Sequence, residues 1–307
     1  MKILEHVSFS NRPTVLAAWP GMGNVGLITV DYLRRGMNAV PFAEIDMSPY
    51  FIPESIVVKQ GIAQFPEIPS SVLYHCKDPD LVIFESNAQF GGRDGIQIIK
   101  MLLDLVGDIN AKELYTFAAF SLPMSYQDRS EVLMTCNNPD MFTRVSRLGV
   151  APMPDGHIAG MNGLLLGVAA SRGMDAACLL GTIPNYAANL HYPKASLEII
   201  QKTSDLLDLK PDTTQLEENI LQMEQQFLNI EERIREFFPS INKDEDFEIG
   251  QLHEDKVPHF VMDRIEKLFQ EASHDIEKAS RLKEELDRWN LFELYEDRFL
   301  DLFEDRK

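Results

Sequence analysis

The chain has 307 residues, of which 45% are hydrophobic, and a formal net charge of −19. This length is enough for two domains, and the apolar content is enough for a sizeable core. An acidic surface repels phosphate backbones, which argues against nucleic acid as a general partner. No apolar run reaches the roughly 18 residues that a membrane-spanning helix needs. We therefore expect a globular protein that binds neither nucleic acid nor membrane.

Three cysteines, Cys76, Cys136 and Cys178, lie far apart and form no C-x-x-C pair. This spacing argues against a disulfide framework and against a cysteine-rich metal site. The first residues do not have the pattern of a signal peptide. We expect a cytoplasmic protein that holds no metal.

The acidic charge is concentrated in the last third of the chain. Residues 1–211 contain 21 acidic and 16 basic residues, whereas residues 212–307 contain 27 acidic and 13 basic residues. This change in composition predicts a core domain at 1–211 and an acidic helical extension at 212–307.

The most distinctive stretch is an apolar run that leads through Gly21-x-Gly23-x-x-Gly26 into a second apolar run ending at Gly36. It predicts a strand, a glycine turn and a helix, which is the local pattern of a dinucleotide site. The first helical amides have no intrahelical partner, so they could hold an anion. The pattern therefore leaves Gly21, Gly23, Asn24 and Gly26 as candidate ligand residues.

The chain after this unit argues against a dinucleotide fold. Glu44 or Asp46 lies at the right distance to hold a ribose, but two prolines between residues 47 and 53 interrupt the expected next βα unit. We therefore favour a packing turn, while a small anion at the amides of Gly23 and Asn24 stays open.

The remaining patterns alternate strands with helices. Strands are predicted at 39–45, 55–60, 71–76, 80–85, 113–118, 131–135 and 176–180, and helices at 96–106, 141–148, 159–171 and 193–207. This alternation predicts an α/β protein, a three-layer α/β/α sandwich with a largely parallel sheet.

Polar residues outside the glycine turn offer weaker candidates. Asn87 and Arg93 flank a Gly-Gly loop after a buried strand, where open α/β sheets bind ligands, although Arg93 and Asp94 fit better in the first turn of the next helix. Asp155 and His157 could be read with a serine as a hydrolase triad, but no G-x-S-x-G elbow is present. We identify no catalytic residue and expect no cofactor.

The last third has helical periodicity. Apolar residues recur at steps of four and three at Leu216, Ile220, Met223, Phe227, Ile230, Ile234 and Phe237. This is the pattern of a coiled-coil seam. A second apolar stripe runs from Val261 to Trp289 and a third segment covers 291–303. We predict a C-terminal antiparallel helical hairpin that supports self-association.

Four motifs together resemble the proteasome assembly chaperone 2 family. They are Trp19–Gly26, Phe84–Gly95, Gly160–Gly167, and Pro184–Tyr186 with Pro193–Ser196. The resemblance covers roughly residues 10–240, with a helical tail typical of prokaryotic members. It implies an α/β/α domain of the phosphorylase/hydrolase-like kind that is usually oligomeric. Eukaryotic and archaeal members of this family help to assemble proteasome subunits.

One feature departs from that family. Chaperones that dock on proteasomes often end in a hydrophobic residue, a tyrosine and any residue, whereas this sequence ends Glu304-Asp305-Arg306-Lys307. Leu294-Tyr295-Glu296 has the right letters but lies internally. Docking by such a tail is therefore not expected. The leading hypothesis is a non-enzymatic protein-binding or assembly factor, and the alternative is a small-molecule or nucleotide-binding enzyme that uses the Gly21–Gly26 loop.

Overall fold

The computed structural model describes residues 1–53 and 55–237, with side chains of the last helix there as far as 229. Farther along, it describes residues 265, 267–269, 272, 278–288, 292, 295, 299 and 302. The chain divides into two compact units, Met1–Ser240 and Ile241–Lys307. The boundary predicted from composition, between residues 211 and 212, lies in the loop between the helices that end at Leu207 and begin at Thr214.

The first unit is built on a nine-stranded sheet, with a separate two-stranded hairpin. The sheet order is β1-β3-β6-β7-β2-β8-β11-β9-β10. The strands are β1 Lys2–Ile3, β2 Thr14–Ala18, β3 Val40–Glu44, β4 Val57–Lys59, β5 Ile62–Gln64, β6 Ser71–Lys77, β7 Asp80–Ser86, β8 Glu113–Leu122, β9 Val132–Cys136, β10 Ala151–Pro152 and β11 Ala176–Pro184.

The sheet is mixed, which corrects the expectation of a largely parallel sheet. Its centre, β7-β2-β8-β11, is parallel, whereas β1, β3 and β6 extend it by antiparallel pairing and β9 pairs antiparallel with β11. Only residues 78 and 79 separate β6 from β7. A parallel pair needs a crossover of a dozen residues or more, so this short connection forces an antiparallel pair.

Helices lie on both faces of the sheet. They are α1 Val25–Gly36, α2 Gly92–Asp108, α3 Pro139–Ser146, α4 Gly160–Ser171, α5 Pro193–Leu207 and α6 Thr214–Phe237. In β2, alternate residues point to opposite faces: Val15 and Ala17 join the apolar core with α2 and α4, and Ala18 faces α1. All five residues of β2 are buried, as a strand covered by helices on both sides requires.

The helix α6 packs on the first unit. Leu216, Met223 and Phe227 of the predicted seam are buried, and Phe227 stacks on Tyr126 with ring centroids 5.2 Å apart. This part of the apolar stripe therefore faces the α/β unit. The seam beyond residue 229, and its pairing with a second arm, lie outside the described residues.

The second unit has a small apolar cluster of its own. Among its described residues, Ile265, Phe269, Ala272, Leu282 and Leu286 are buried together, and Phe292 packs against them. One helix there, α7, spans Ala279–Arg288. Ile265, Ala272, Leu282 and Leu286 belong to the predicted second stripe, whereas Phe269 does not. The rest of the predicted helical hairpin lies outside the described residues.

The hairpin of β4 and β5 is exposed. Its strands pair antiparallel with Val57 opposite Gln64, Val58 opposite Ala63 and Lys59 opposite Ile62. All six strand residues are exposed, in contrast to the buried strands of the large sheet.

Candidate functional site

The glycine turn connects β2 to α1 through a short 3-10 turn at Met22–Asn24. Gly23 has a φ of 62° and Asn24 a φ of 49°, in the left-handed region where glycine and asparagine are favoured. The Gly23 N–H donates to the carbonyl of Ala188 at 2.8 Å, and the Asn24 N–H donates to the carbonyl of Gly21 at 2.9 Å. Both amides that could have held an anion are therefore engaged inside the protein.

Gly26 is where α1 approaches the sheet most closely. A Cβ at this position would overlap the carbonyl oxygen of Phe117 on β8. Any side chain would push the helix away from the strand. Gly26 thus serves the packing of α1, which supports the interpretation of the motif as a packing turn.

A buried amide secures the end of β2 from the other face of the sheet. Asn162, in α4, accepts from the Trp19 N–H at 2.9 Å and donates its Nδ2 to the Trp19 carbonyl at 3.1 Å. The Thr116 hydroxyl of β8 donates to the same Oδ1 at 3.3 Å. Because Asn162 is only 4% exposed, its loss would leave buried backbone groups without partners.

Gln89 connects two further segments to the turn. Its Nε2 donates to the carbonyl of Pro20, and its Oε1 accepts from the Met161 N–H at 3.1 Å. The loop after β7 is thereby attached to both the glycine turn and the start of α4.

The segment before α5 completes this arrangement. The Tyr192 N–H donates to the carbonyl of Gly23 at 2.9 Å, and the Ser196 hydroxyl donates to the carbonyl of Val25 at 3.0 Å. Residues from the four motifs singled out in the sequence are therefore hydrogen-bonded around one turn. We call five of them, Trp19, Gly23, Gln89, Asn162 and Ser196, together with the closely packed Gly26, the motif corner.

A cleft opens beside the motif corner, at the carboxyl ends of β2 and β7. It has a volume of about 390 Å³. Asn24, Asn87 and His191 line it together with Asp31 and Glu85, among others. Asn24 Nδ2 lies 3.4 Å from His191 Nε2. Two of the six candidate ligand residues, Asn24 and Asn87, thus share a cavity, whereas Gly21, Gly23, Gly26 and Arg93 are not among its described lining residues.

The carboxylates of this cleft are paired. Arg34 donates from Nε to Glu85 at 2.7 Å and contacts Asp31 at 2.5 Å, while Arg35 contacts Asp31 at 2.6 Å. Arg34 also lies over the ring of Tyr74, 4.8 Å from its centroid. Burial raises the pKa of the Glu85 carboxyl, and the hydrogen bond from Arg34 opposes that rise. The ion pairs make these carboxylates poor candidates for a general acid and base.

The comparisons with known proteins agree with the four motifs. Residues 15–230 match the model of the PAC2 family. The chain belongs to the PAC2 family. A search of curated protein sequences finds no significant match.

Solved structures share the fold of this PAC2 chain. The Pyrococcus furiosus protein PbaB, described as an archaeal proteasome activator, aligns with a TM-score of 0.65 and 24% identity over 75% of this chain and 97% of its own. PbaA of the same organism, an archaeal homolog of proteasome-assembly chaperone, aligns with a TM-score of 0.61 and 20% identity over 78% and 94%. A proteasome-assembly chaperone homologue of Mycobacterium tuberculosis gives 0.58 and 18% over 76% and 97%.

The other predicted site residues are not brought into the motif corner of this PAC2 chain. Arg93 and Asp94 lie in the first turn of α2, which confirms the helical interpretation. Asp155 and His157 are exposed on the loop before α4. Asp155 lines a separate cavity of about 350 Å³ with Thr135 and Gly163.

The part of the chain that the structure describes contains no cluster of three or more His, Cys, Asp or Glu side chains arranged to hold a metal ion. No helix there has both the length and the apolar character needed to cross a membrane.

The side chains of Asn162 and Gln89 make the hydrogen bonds that join the segments of the motif corner. The sequence analysis did not name either of them as a site residue. Each lies within a motif that was recognised as a block. Asn162 is a polar residue inside the apolar helix Gly160–Ser171, and a buried amide needs partners. That contrast was the available signal. The partners, Trp19 and Thr116, could come only from the tertiary structure.

Proposed function

We propose that this PAC2-family chain is a non-enzymatic protein-binding or assembly factor located in the cytoplasm. The observation that carries the proposal is the match to the PAC2 model over residues 15–230. The similarity to PbaB, a proteasome activator, and to PbaA, a homolog of proteasome-assembly chaperone, supports an activity on proteasomes or on their assembly. Proteasome subunits are therefore the first candidate partners, and self-association is part of the proposal.

The motif corner supports a scaffold role. Its glycines and amide side chains take part in hydrogen bonds and close contacts within the protein. The three cysteines are free thiols, which suits a reducing compartment. A protein of this kind acts through its surface, and the corner keeps the sheet and helices rigid beneath that surface.

Affinity capture from the native cytosol, followed by mass spectrometry, tests the proposal. The full chain is the bait, and an unrelated protein of similar size and net charge is the matched control, because a charge of −19 attracts basic proteins non-specifically. We expect a stoichiometric protein partner on the bait alone. A captured set identical to that of the control would contradict the proposal.

The alternative is a ligand-binding or enzymatic role, and it rests on the cleft that Asn24, Asn87 and His191 line. A thermal-shift screen with NAD, ATP and phosphate tests it. A ligand at 100 times its dissociation constant adds about 2.7 kcal/mol to the free energy of unfolding. A shift that the cleft-filling variant Leu27→Trp abolishes would favour the alternative, and no shift with any of the three would count against it.

A further inference from the structure

The β4–β5 hairpin has one face that is entirely apolar. Cross-strand partners point to the same face and neighbours along a strand alternate. The register places Val58 beside Ala63. By the same alternation, Ile56 and Phe65, just outside the paired strands, come next on this face. These side chains are exposed: Ile56 by 56%, Val58 by 61% and Phe65 by 82%. The opposite face is mixed, with Val57, Lys59, Ile62 and Gln64.

Such a hairpin is at best marginally stable alone in water. Two-stranded hairpins need a third strand or a packed face for support. Here all six strand residues are exposed. Among the residues that the structure describes, the small sheet contains only β4 and β5, so each strand also has an edge without a described partner. An exposed apolar face beside free edges marks a site of association.

The exposed apolar residues in and beside the hairpin have an area that suits a protein interface. Ile52 and Ile68, which flank the hairpin in sequence, are 85% and 55% exposed. With Ile56, Val58, Ala63 and Phe65 they expose roughly 700 Å², close to the about 800 Å² that each partner buries in a standard interface.

The distribution of charge favours a second copy as the occupant. The chain as a whole carries −19, most of it in residues 212–307, so that part of the surface repels a second copy. Residues 51–69 contain only three charged residues, Glu54, Lys59 and Glu67, so two copies can approach here with little repulsion. A basic partner would be drawn to the acidic surface elsewhere. The hairpin also needs permanent cover, which another copy of the same chain always supplies.

We propose that the apolar face of the β4–β5 hairpin, formed by Ile56, Val58, Ala63 and Phe65, is the contact between two copies of this chain. The contact is isologous, with the same face contributed by both copies. The proposal rests on the self-association included in the proposed function and names the surface that carries it.

The test compares two double variants on the same hairpin. Val58→Ser with Phe65→Ser removes the apolar face, and Val57→Ser with Ile62→Ser changes the opposite face. Ile62 is 63% exposed, about as much as Val58, so the second variant is a matched control. Because these side chains are exposed within a single copy, neither variant should prevent folding. Thermal melts at a protein concentration below the dimer Kd, where assembly adds no stability, check this.

Sedimentation velocity from about 1 to 100 μM, the range of a modest interface, measures the assembly state. We expect the wild type and the control variant to associate, and the face variant to dissociate with a Kd at least tenfold higher. Hydrogen exchange at β4 and β5 should slow as the wild-type concentration rises, and should not change in the face variant.

Three outcomes would overturn the proposal, and they separate it from the proposed function. An associated wild type with an unchanged face variant would remove the hairpin as the contact and leave self-association intact. Equal loss in both variants would reject the assignment to one face. A wild type that stays monomeric would reject both self-association and the contact, while affinity capture would still decide whether the chain binds another protein.

Discussion

At the residue scale, Gly26 and Gly21 belong to the same motif but meet different surroundings. A Cβ on Gly26 would overlap the backbone of Phe117, whereas a Cβ on Gly21 would have its nearest neighbour, Asn162 Nδ2, at 3.7 Å. Gly21 has extended backbone angles that any residue adopts. Two glycines of one motif therefore differ: the structure requires glycine at position 26 but not at position 21.

We expect Gly26→Ala to lower the free energy of unfolding by about 1–3 kcal/mol, because an overpacked contact forces α1 away from β8. Gly21→Ala is the matched control and should change it by less than about 0.5 kcal/mol. Urea unfolding followed by circular dichroism measures both. Equal effects of the two substitutions would contradict the packing role of Gly26.

His75 is a buried residue of β6 that gives the protein a pH dependence. Its ring lies between Phe42 and Phe9, with centroids 5.7 and 6.2 Å away, and neither ring nitrogen has a hydrogen-bond partner among the described residues. Burial lowers the pKa of His75; Glu5 raises it and Lys77 lowers it further. The folded protein therefore resists a proton that the unfolded chain accepts.

This pKa shift has a definite sign. As pH falls below about 6.5, the pKa of an unfolded histidine, the unfolded state binds more protons than the folded state and stability drops. We expect His75→Phe to reduce the loss of stability between pH 7.5 and 5.5 in urea unfolding. His157→Phe, at an exposed position, is the control. A pH slope that His75→Phe leaves unchanged would refute the prediction.

At the scale of elements, the described part of the apolar stripe of α6 packs on the α/β unit, whereas its spacing had predicted a coiled-coil seam. Phe227 lies among Tyr126, Tyr186 and Tyr192, and Lys194 donates to Glu224 at 2.9 Å. Asn219 donates to the hydroxyl of Tyr32 on α1 at 2.9 Å. These contacts attach the N-terminal part of α6 to the α/β unit. The 4-3 spacing of a coiled-coil seam is also the spacing of any helix that packs one face on a globular core.

We expect Phe227→Ala to destabilise the protein by about 3–5 kcal/mol, because it empties a buried aromatic site. Leu221→Ala, on the same helix but 67% exposed, should cost less than about 0.5 kcal/mol. Hydrogen exchange of the α6 amides and urea unfolding measure the effect. Similar behaviour of the two variants would mean that α6 does not rest on the aromatic cluster.

At the scale of the whole molecule, the charge of −19 and the apolar hairpin act against each other. Repulsion between two acidic copies is long-ranged and depends on salt, whereas burial of an apolar face does not rely on charge. The proposed contact places an exposed segment with few charged residues between the copies. This balance determines how assembly responds to ionic strength.

We expect self-association to strengthen as salt rises, because the screening length falls from about 10 Å at 0.1 M to about 3 Å at 1 M. Sedimentation equilibrium at those two NaCl concentrations should give a lower Kd at the higher one. The Val58→Ser and Phe65→Ser double variant should stay dissociated at both. A Kd that rises with salt would indicate a contact held by ion pairs.

The sequence by itself determined the family and most of the longer elements, but not the short strands β1, β5 and β10. The apolar run of β2 predicted a strand, and the apolar segment of small residues in α4 predicted a helix. Both predictions were possible because buried elements are rich in apolar residues. The four motifs predicted family membership, which the match over residues 15–230 confirms.

Only the tertiary structure decided what those residues contact. The antiparallel flank of the sheet depends on which strands pair. Whether the amides of Gly23 and Asn24 are free to bind an anion depends on the hydrogen-bond acceptors around them. The partners of Asn162 and the exposed face of β4 and β5 also lie in other parts of the fold. Periodicity reports which side of an element is apolar, but not which surface covers it, because that surface comes from residues far away in the chain.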